Sequence, residues 1–306
     1  MKYAATIKEI GRGAKGARPL SEADAHALFA DILERKVPDL ELGAIILSLR
    51  IKSESIEELL GFKRAMDEHT PQLTVPEGWR CVVLPSYNGA RRQPNLMPLL
   101  AMMLARAGVP VLVQGRHDFD ARTSPFDLLA ALGITQQADV AAASTALASG
   151  QVACLKLDSL LPGLDDLLAL RPRLGVRNTG HTMAKLLDPA IGRSLRVVAV
   201  THPEYLERMD AFLKGDGGAA MLMRGTEGEA YANPRRRPAM KLYADGALVH
   251  TIEAEPGGAP PNADVPDAPD VAGNAALIRD IFNGRVPVPE PLLAQFEALR
   301  ASARMG

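Results

Sequence analysis

The chain has 306 residues, 47% of them hydrophobic, which is enough apolar mass for a sizeable core and for one large domain or two smaller ones. Its 35 Lys and Arg against 36 Asp and Glu leave a formal net charge of −1, which excludes a global pull toward nucleic acid or membrane and makes any polyanion site a local one. Two cysteines, Cys81 and Cys154, sit inside apolar runs and point to two core thiols in a reducing setting, not to a disulfide scaffold or a cysteine-built metal centre.

The opening MKYAATIKEIGRGAKG has scattered charge and no apolar signal region, and no run reaches about 18 apolar residues, so a soluble cytoplasmic protein is expected. Lys8, Arg12, Lys15 and Arg18 recur every three or four residues around Gly11, Gly13 and Gly16. Each glycine weakens a helix by about 1 kcal/mol relative to alanine, so the segment reads as a flexible basic arm, with a solvated terminal face as the alternative. Ser21 then caps SEADAHALFADILER, a second helix follows Pro38, and Ser55 with Glu58 forms a capping-box signal for IEELLGFKRAMDEH, which Pro71 stops.

From Trp79 the texture changes, as short apolar or β-branched runs alternate with helical patterns: CVVL, LMPLLAMMLARAG, VPVLVQG and SPFDLLAALG. That alternation predicts crossover units and a parallel sheet, with further strands at 152–157, 194–202 and 218–225 and a helix after Pro203. Asp245-Gly246 between KLYA and ALVHTIEA predicts a hairpin late in the sheet. Residues 255–270, rich in Pro, Gly and Asp, read as an exposed loop, and two helices close the chain. The fold class is therefore α/β, with a small N-terminal helical domain and a larger domain on a mainly parallel central sheet. The boundaries are 1–76, joined by parts of 92–107 and 165–187, and 77–306.

Where such a fold often places a glycine-rich phosphate cradle, this chain reads PSYNGARRQPN. It offers one glycine, Gly89, beside Ser86, Tyr87, Asn88, Arg91 and Arg92. A second basic cluster comprises Arg171, Arg173, Arg177, His181 and Lys185, with Arg173, Arg177 and Lys185 at near-helical intervals and no acidic residue between Asp166 and Asp188. It forms a local positive strip, unless Arg171 and Arg177 pair with carboxylates and only fix a hinge. A third, Arg235 to Arg237 between two prolines, reads as a solvated loop. Aromatic residues make up 4%, which argues against a base-stacking platform and leaves Tyr87 as the aromatic suspected of stacking. His117 and Asp118 lack an accompanying nucleophile motif and are assigned no chemistry.

The helical opening EADAHALFADILERKVPDLELGAIILSLRIKSESIEELLGFKRAM and the run LRPRLGVRNTGHTMAKLLDPA resemble the anthranilate phosphoribosyltransferase family over nearly the whole chain. The resemblance implies that family's fold, with the 171–185 region at a hinge lining a substrate cleft. It also matches Arg171 to an arginine that contacts the anthranilate carboxylate. Function lives in the site, and here the sequence departs. The family's G-T-G-G-D loop is replaced by PSYNGARR. The K-H-G-N-R loop becomes VQGRH, keeping Gly115 and losing the Lys-His pair. The acidic pair that holds magnesium falls near RGTEGEAYA, with Glu227 and Glu229 as stand-ins.

These departures resemble a divergent branch, the YbiB-type proteins once classed as glycosyltransferases, through IKEIGRGAKGARPLS and LMRGTEGE. That likeness implies a homodimer binding DNA and RNA with little sequence preference, with no cofactor and without demonstrated transferase chemistry. Lys8, Arg12, Lys15, Arg18, Arg91, Arg92, Arg171, Arg173, Arg177 and Lys185 are then the nucleic-acid contacts. The alternative is a pentosyl transferase using phosphoribosyl diphosphate, an aromatic acceptor such as anthranilate and Mg²⁺ on Glu227 or Glu229.

Overall fold

A computed structural model describes residues 2–13, 15–117, 122–257 and 270–305. The chain divides into two units, Met1–Pro71 with Leu157–Pro189, and Gln72–Lys156 with Ala190–Gly306. Asp118 and the greater part of the predicted 255–270 loop lie outside the described residues.

The first unit is helical. Ser21 accepts a hydrogen bond from the Asp24 N–H at the start of helix Glu22–Leu33, and Ser55 and Glu58 form a complete capping box ahead of helix Ile56–His69. These two helices bury Leu28, Phe29, Leu59 and Phe62, with the rings of Phe29 and Phe62 stacked at 4.8 Å. Glu58 is fully buried and also accepts from Lys52 Nζ at 2.6 Å and from the Leu20 N–H at 2.9 Å, so its charge is matched inside the unit. The basic arm is only partly an arm. Residues Ala4–Ile10 form a helix with Ile10 buried, because the apolar side of AATIKEI packs against helix Asp39–Lys52 before the glycines end it.

The second unit is built on seven strands: β1 Cys81–Ser86, β2 Val111–Gly115, β3 Ala153–Lys156, β4 Ser194–Val200, β5 Ala220–Arg224, β6 Met240–Ala244 and β7 Ala247–Ile252. Their order is β3-β2-β1-β4-β5-β6-β7, parallel from β3 through β5 and antiparallel thereafter. β1 and β4 are buried at every position, as central strands covered on both faces must be, and this is why they read as continuous apolar runs. Asp245 and Gly246 both take positive φ in the β6–β7 turn, the geometry of a two-residue hairpin. Helix Met97–Arg106 packs on β2 and on helices of this same unit, so residues 97–106 do not join the helical unit. Its Met and Leu side chains fill the layer above the sheet. No helix among the described residues is long and apolar enough to cross a membrane.

The strand order reverses around β1, which has β2 on one side and β4 on the other. In open α/β sheets this switch point, at the carboxyl ends of the strands, is where ligands bind. The loop PSYNGARRQPN leaves β1 at that place.

Candidate functional site

The loop after β1 is closed by two carboxylates from the segment after β5. Gly225 follows β5, and Thr226 to Glu229 form a tight turn in which the Glu229 N–H donates to the Thr226 carbonyl at 2.9 Å. Glu227 and Gly228 occupy its centre with φ of 52° and 90°. Positive φ at both central residues is the type I′ pattern, which glycine accepts freely and glutamate adopts at a cost of about 1–2 kcal/mol. Asn88 Nδ2 donates to the Gly228 carbonyl at 3.1 Å and would lie 2.4 Å from a Cβ there, so only glycine fits. This strained turn aims both glutamates at the loop.

Glu229 is fully buried, and its Oε1 accepts the main-chain N–H groups of Tyr87 at 3.3 Å, Asn88 at 2.9 Å and Gly89 at 3.0 Å. Its Oε2 accepts from Ser86 Oγ at 2.6 Å. Glu227 Oε1 takes the next set: the N–H groups of Arg91 at 3.1 Å, Arg92 at 2.7 Å and Gln93 at 3.3 Å. Two successive concavities of backbone N–H groups are thus each filled by a carboxylate of the same chain. Such nests bind anions, and here the anions are built in. The rest of the loop is equally fastened: Tyr231 Oη donates to the Pro94 carbonyl at 2.9 Å and Asn95 Nδ2 to that of Thr123 at 3.1 Å. Burial, and next the charges of Glu229 and Glu227, hold the Tyr231 phenol well above its ordinary range.

Three sequence readings change here. Tyr87 is not a stacking aromatic: it is 5% exposed, and its hydroxyl donates to Gln114 Oε1 at 2.5 Å, because the residue after β1 continues the strand alternation inward. Gly115 serves packing, since a Cβ there would stand 1.8 Å from the Ser86 carbonyl oxygen, with which its strand is in register. Glu227 and Glu229 do not fit a magnesium ion in this arrangement. Both oxygens of Glu229 and Oε1 of Glu227 face N–H and O–H donors, the opposite polarity to a cation site. Among the described residues no group of three or more His, Cys, Asp or Glu is placed to hold a metal.

The arginines of the loop point away from this network. Arg91 and Arg92 are exposed, and their guanidinium groups have no acidic partner among the described residues. Lys8, Lys15 and Arg18 in the helical unit are likewise exposed and unmatched among the described residues, whereas Arg12 pairs with Glu9 at 2.8 Å. The strip at 171–185 is not one helical face. Helix Arg171–Leu174 ends at Gly175, Arg177 follows in a loop, and a separate turn of helix spans Gly180–Met183. Arg173 is exposed and lies 3.6 Å from Asp39, while Arg171, Arg177, His181 and Lys185 are half-buried and engaged by other groups. The Arg235–Arg237 segment is half-buried instead of solvated, with Arg237 donating to Glu290 at 2.5 Å and to the Glu253 carbonyl at 3.2 Å.

A helical unit joined to a seven-stranded α/β unit, with an anion-nest loop at the switch point, defines the anthranilate phosphoribosyltransferase class of fold. Known proteins agree with that assignment. Residues 5–70 match the helical bundle domain of the glycosyl transferase family. The anthranilate phosphoribosyltransferase structure from Thermus thermophilus superposes with a TM-score of 0.76 at 22% identity, over 97% of this chain and 88% of that one. The Saccharomyces cerevisiae enzyme in complex with PRPP and Mg superposes at 0.74 and 14% identity, over 98% and 88%. In sequence, the Rhodospirillum rubrum anthranilate phosphoribosyltransferase is 25% identical over 93% of this chain and 82% of its own. YbiB of Escherichia coli is 42% identical over 96% of this chain and 92% of its own. The chain belongs to the same family as YbiB, and its fold is that of the anthranilate phosphoribosyltransferases.

Proposed function

We propose that this protein is a sequence-nonspecific DNA- and RNA-binding homodimer on the phosphoribosyltransferase scaffold, its diphosphate cradle replaced by an internally neutralised loop. One observation carries the reading: the loop turns its backbone donors inward onto Glu227 and Glu229 and holds Arg91 and Arg92 outward without carboxylate partners. A cradle for one diphosphate needs free N–H groups. Contacts to polymeric phosphate need exposed cations on a fixed backbone, since they position a strand without reading its sequence. Lys8, Lys15 and Arg18 add a second set of such cations. Screening at physiological salt confines each set's field to about 8 Å, so the net charge of −1 does not cancel it.

The dimer is supported by helix Asp39–Lys52, whose Leu40, Leu47 and Ile51 are 83%, 37% and 68% exposed. Spacings of seven and four place them on one face, opposite the buried Ile45, Ile46 and Leu49. An apolar stripe of this kind on a surface helix suits a second copy of the same helix.

Fluorescence anisotropy with single-stranded and duplex oligonucleotides across a salt series tests the reading. Log affinity is expected to fall linearly with log salt, by about 0.7 per phosphate contact on single strands, and R91E/R92E should remove about two contacts from the slope. No binding at low salt, or an unchanged slope in the variant, overturns it. The alternative, phosphoribosyl transfer with Arg171 on the acceptor, draws support from the anthranilate phosphoribosyltransferases among the relatives. It requires that Glu227 and Glu229 release the loop.

A further inference from the structure

A cavity of about 470 Å³ opens in the α/β unit at the carboxyl end of β5; Gln93 and Glu227 of the loop network line it, and Arg91 and Arg92 do not. Its size falls in the range of small-molecule sites. Leu206, Pro238, Ala239 and Ala254 provide apolar wall, and Arg224, Arg236, Arg237, Asn233 and Glu255 the polar one. Most of these charges are already used. Glu227 Oε1 accepts three backbone N–H groups, Glu255 Oε2 accepts the Arg237 N–H at 2.7 Å, and Arg237 is held by Glu290.

What remains is cationic. Arg224 and Arg236 have no acidic partner among the described residues. Moreover, Arg236 Nε and Gln93 Oε1 are both closed off from solvent with no hydrogen-bond partner, a buried donor and a buried acceptor on one cavity. Unmet buried polar atoms are costly, roughly 1–3 kcal/mol each and more when charged, and native proteins leave few.

We propose that this cavity binds a small organic phosphomonoester: the phosphate bridges Arg224 and Arg236, and a rotation of the Gln93 side chain, whose Oε1 has no partner among the described residues, lets it accept from a hydroxyl or amino group of the ligand. Arginine is the residue suited to the phosphate, through paired N–H donors. The site stands apart from the nucleic-acid reading and does not depend on it. The same chemistry is presented by a free mononucleotide and by the 5′-phosphate end of a strand.

Calorimetry with the full-length protein separates these cases, using adenosine and uridine 5′-monophosphate, the unphosphorylated nucleosides, inorganic phosphate, and an oligonucleotide with and without a 5′-phosphate. Saturable one-to-one binding of the monophosphates and none of the nucleosides is expected. R236Q, and R224Q at an exposed position that leaves the core untouched, should each weaken it at least tenfold. Q93L should weaken the monophosphates and leave inorganic phosphate unaffected, and R91E/R92E should change none of them. Binding confined to the 5′-phosphorylated oligonucleotide assigns the same site to strand ends. The proposal fails if no phosphorylated probe binds by about 1 mM, a free energy near −4 kcal/mol, or if R224Q and R236Q both bind as the unaltered protein does.

Discussion

Replacing Glu229 by alanine removes the acceptor of four donors at once, those of Ser86 Oγ and of the N–H groups of Tyr87, Asn88 and Gly89. The Tyr87 bond is long at 3.3 Å and contributes little. The other three, each to an ionised carboxylate, are worth about 1.5 kcal/mol apiece, or roughly 4–5 kcal/mol together. Water entering the vacated space restores part of that, so E229A should lose about 3 kcal/mol. E229Q keeps an acceptor oxygen for the N–H groups and lets Ser86 accept in place of donating, so its loss should be about 1–2 kcal/mol. Urea denaturation followed by circular dichroism measures both. Acetate, which fits the space left by the truncated side chain, should stabilise E229A saturably and leave the unaltered protein unchanged, because a ligand stabilises only the state that binds it. An E229A protein within about 1 kcal/mol of the parent would show that the carboxylate does not hold the loop, and the reasoning would be refuted.

Four further outcomes are expected. L47E with I51E should convert the proposed dimer to a monomer in sedimentation velocity with helix content unchanged, since both side chains are already exposed. The Tyr231 and Tyr243 phenols are raised, chiefly by burial, so their contribution to stability is complete below the ordinary tyrosine range near pH 10 and is lost as pH rises beyond it. Absorbance at 295 nm should therefore show them ionising together with alkaline unfolding. Burial pushes the Cys154 thiol up to about 12, so an aromatic disulfide reagent at pH 8 should leave it unreacted in the native protein and modify it in urea. Although burial opposes ionisation at Asp210, hydrogen bonds from Lys214 and Tyr243 outweigh it and hold the carboxyl below its ordinary range. That contribution is present above the ordinary range near pH 4 and lost as pH falls below it, so D210N should flatten the acid limb of the stability curve.

Much of the fold was legible because its signals are local. The Ser55–Glu58 capping box, the Asp245-Gly246 hairpin and the apolar runs of β1 and β4 each declare themselves within a few residues. The bounds of the helical unit were less so: Leu157–Pro189 returns to it after the chain has already built β1 to β3. The basic strip failed for a definable reason. Helical spacing was carried from Arg173 to Lys185 across Gly175, a residue that terminates a helix. The filling of the nests was illegible because it joins residues 140 or more positions apart in the Glu229 set, and nothing local tells which carboxylate enters a loop so distant in sequence. One signal was present. A Glu-Gly pair at the centre of a two-residue turn places glutamate where asparagine, aspartate or glycine is the easy choice, and such local violations gather at sites with a purpose.

The central claim, that the loop's anion cradle is already occupied by the chain's own carboxylates, is tested most directly by titrating the intact protein with phosphoribosyl diphosphate and Mg²⁺ in a calorimeter. The account predicts no binding at the β1 loop: any heat should persist unchanged in E229Q and vanish in R224Q and R236Q. Saturable, Mg²⁺-dependent binding that E229Q abolishes would contradict it.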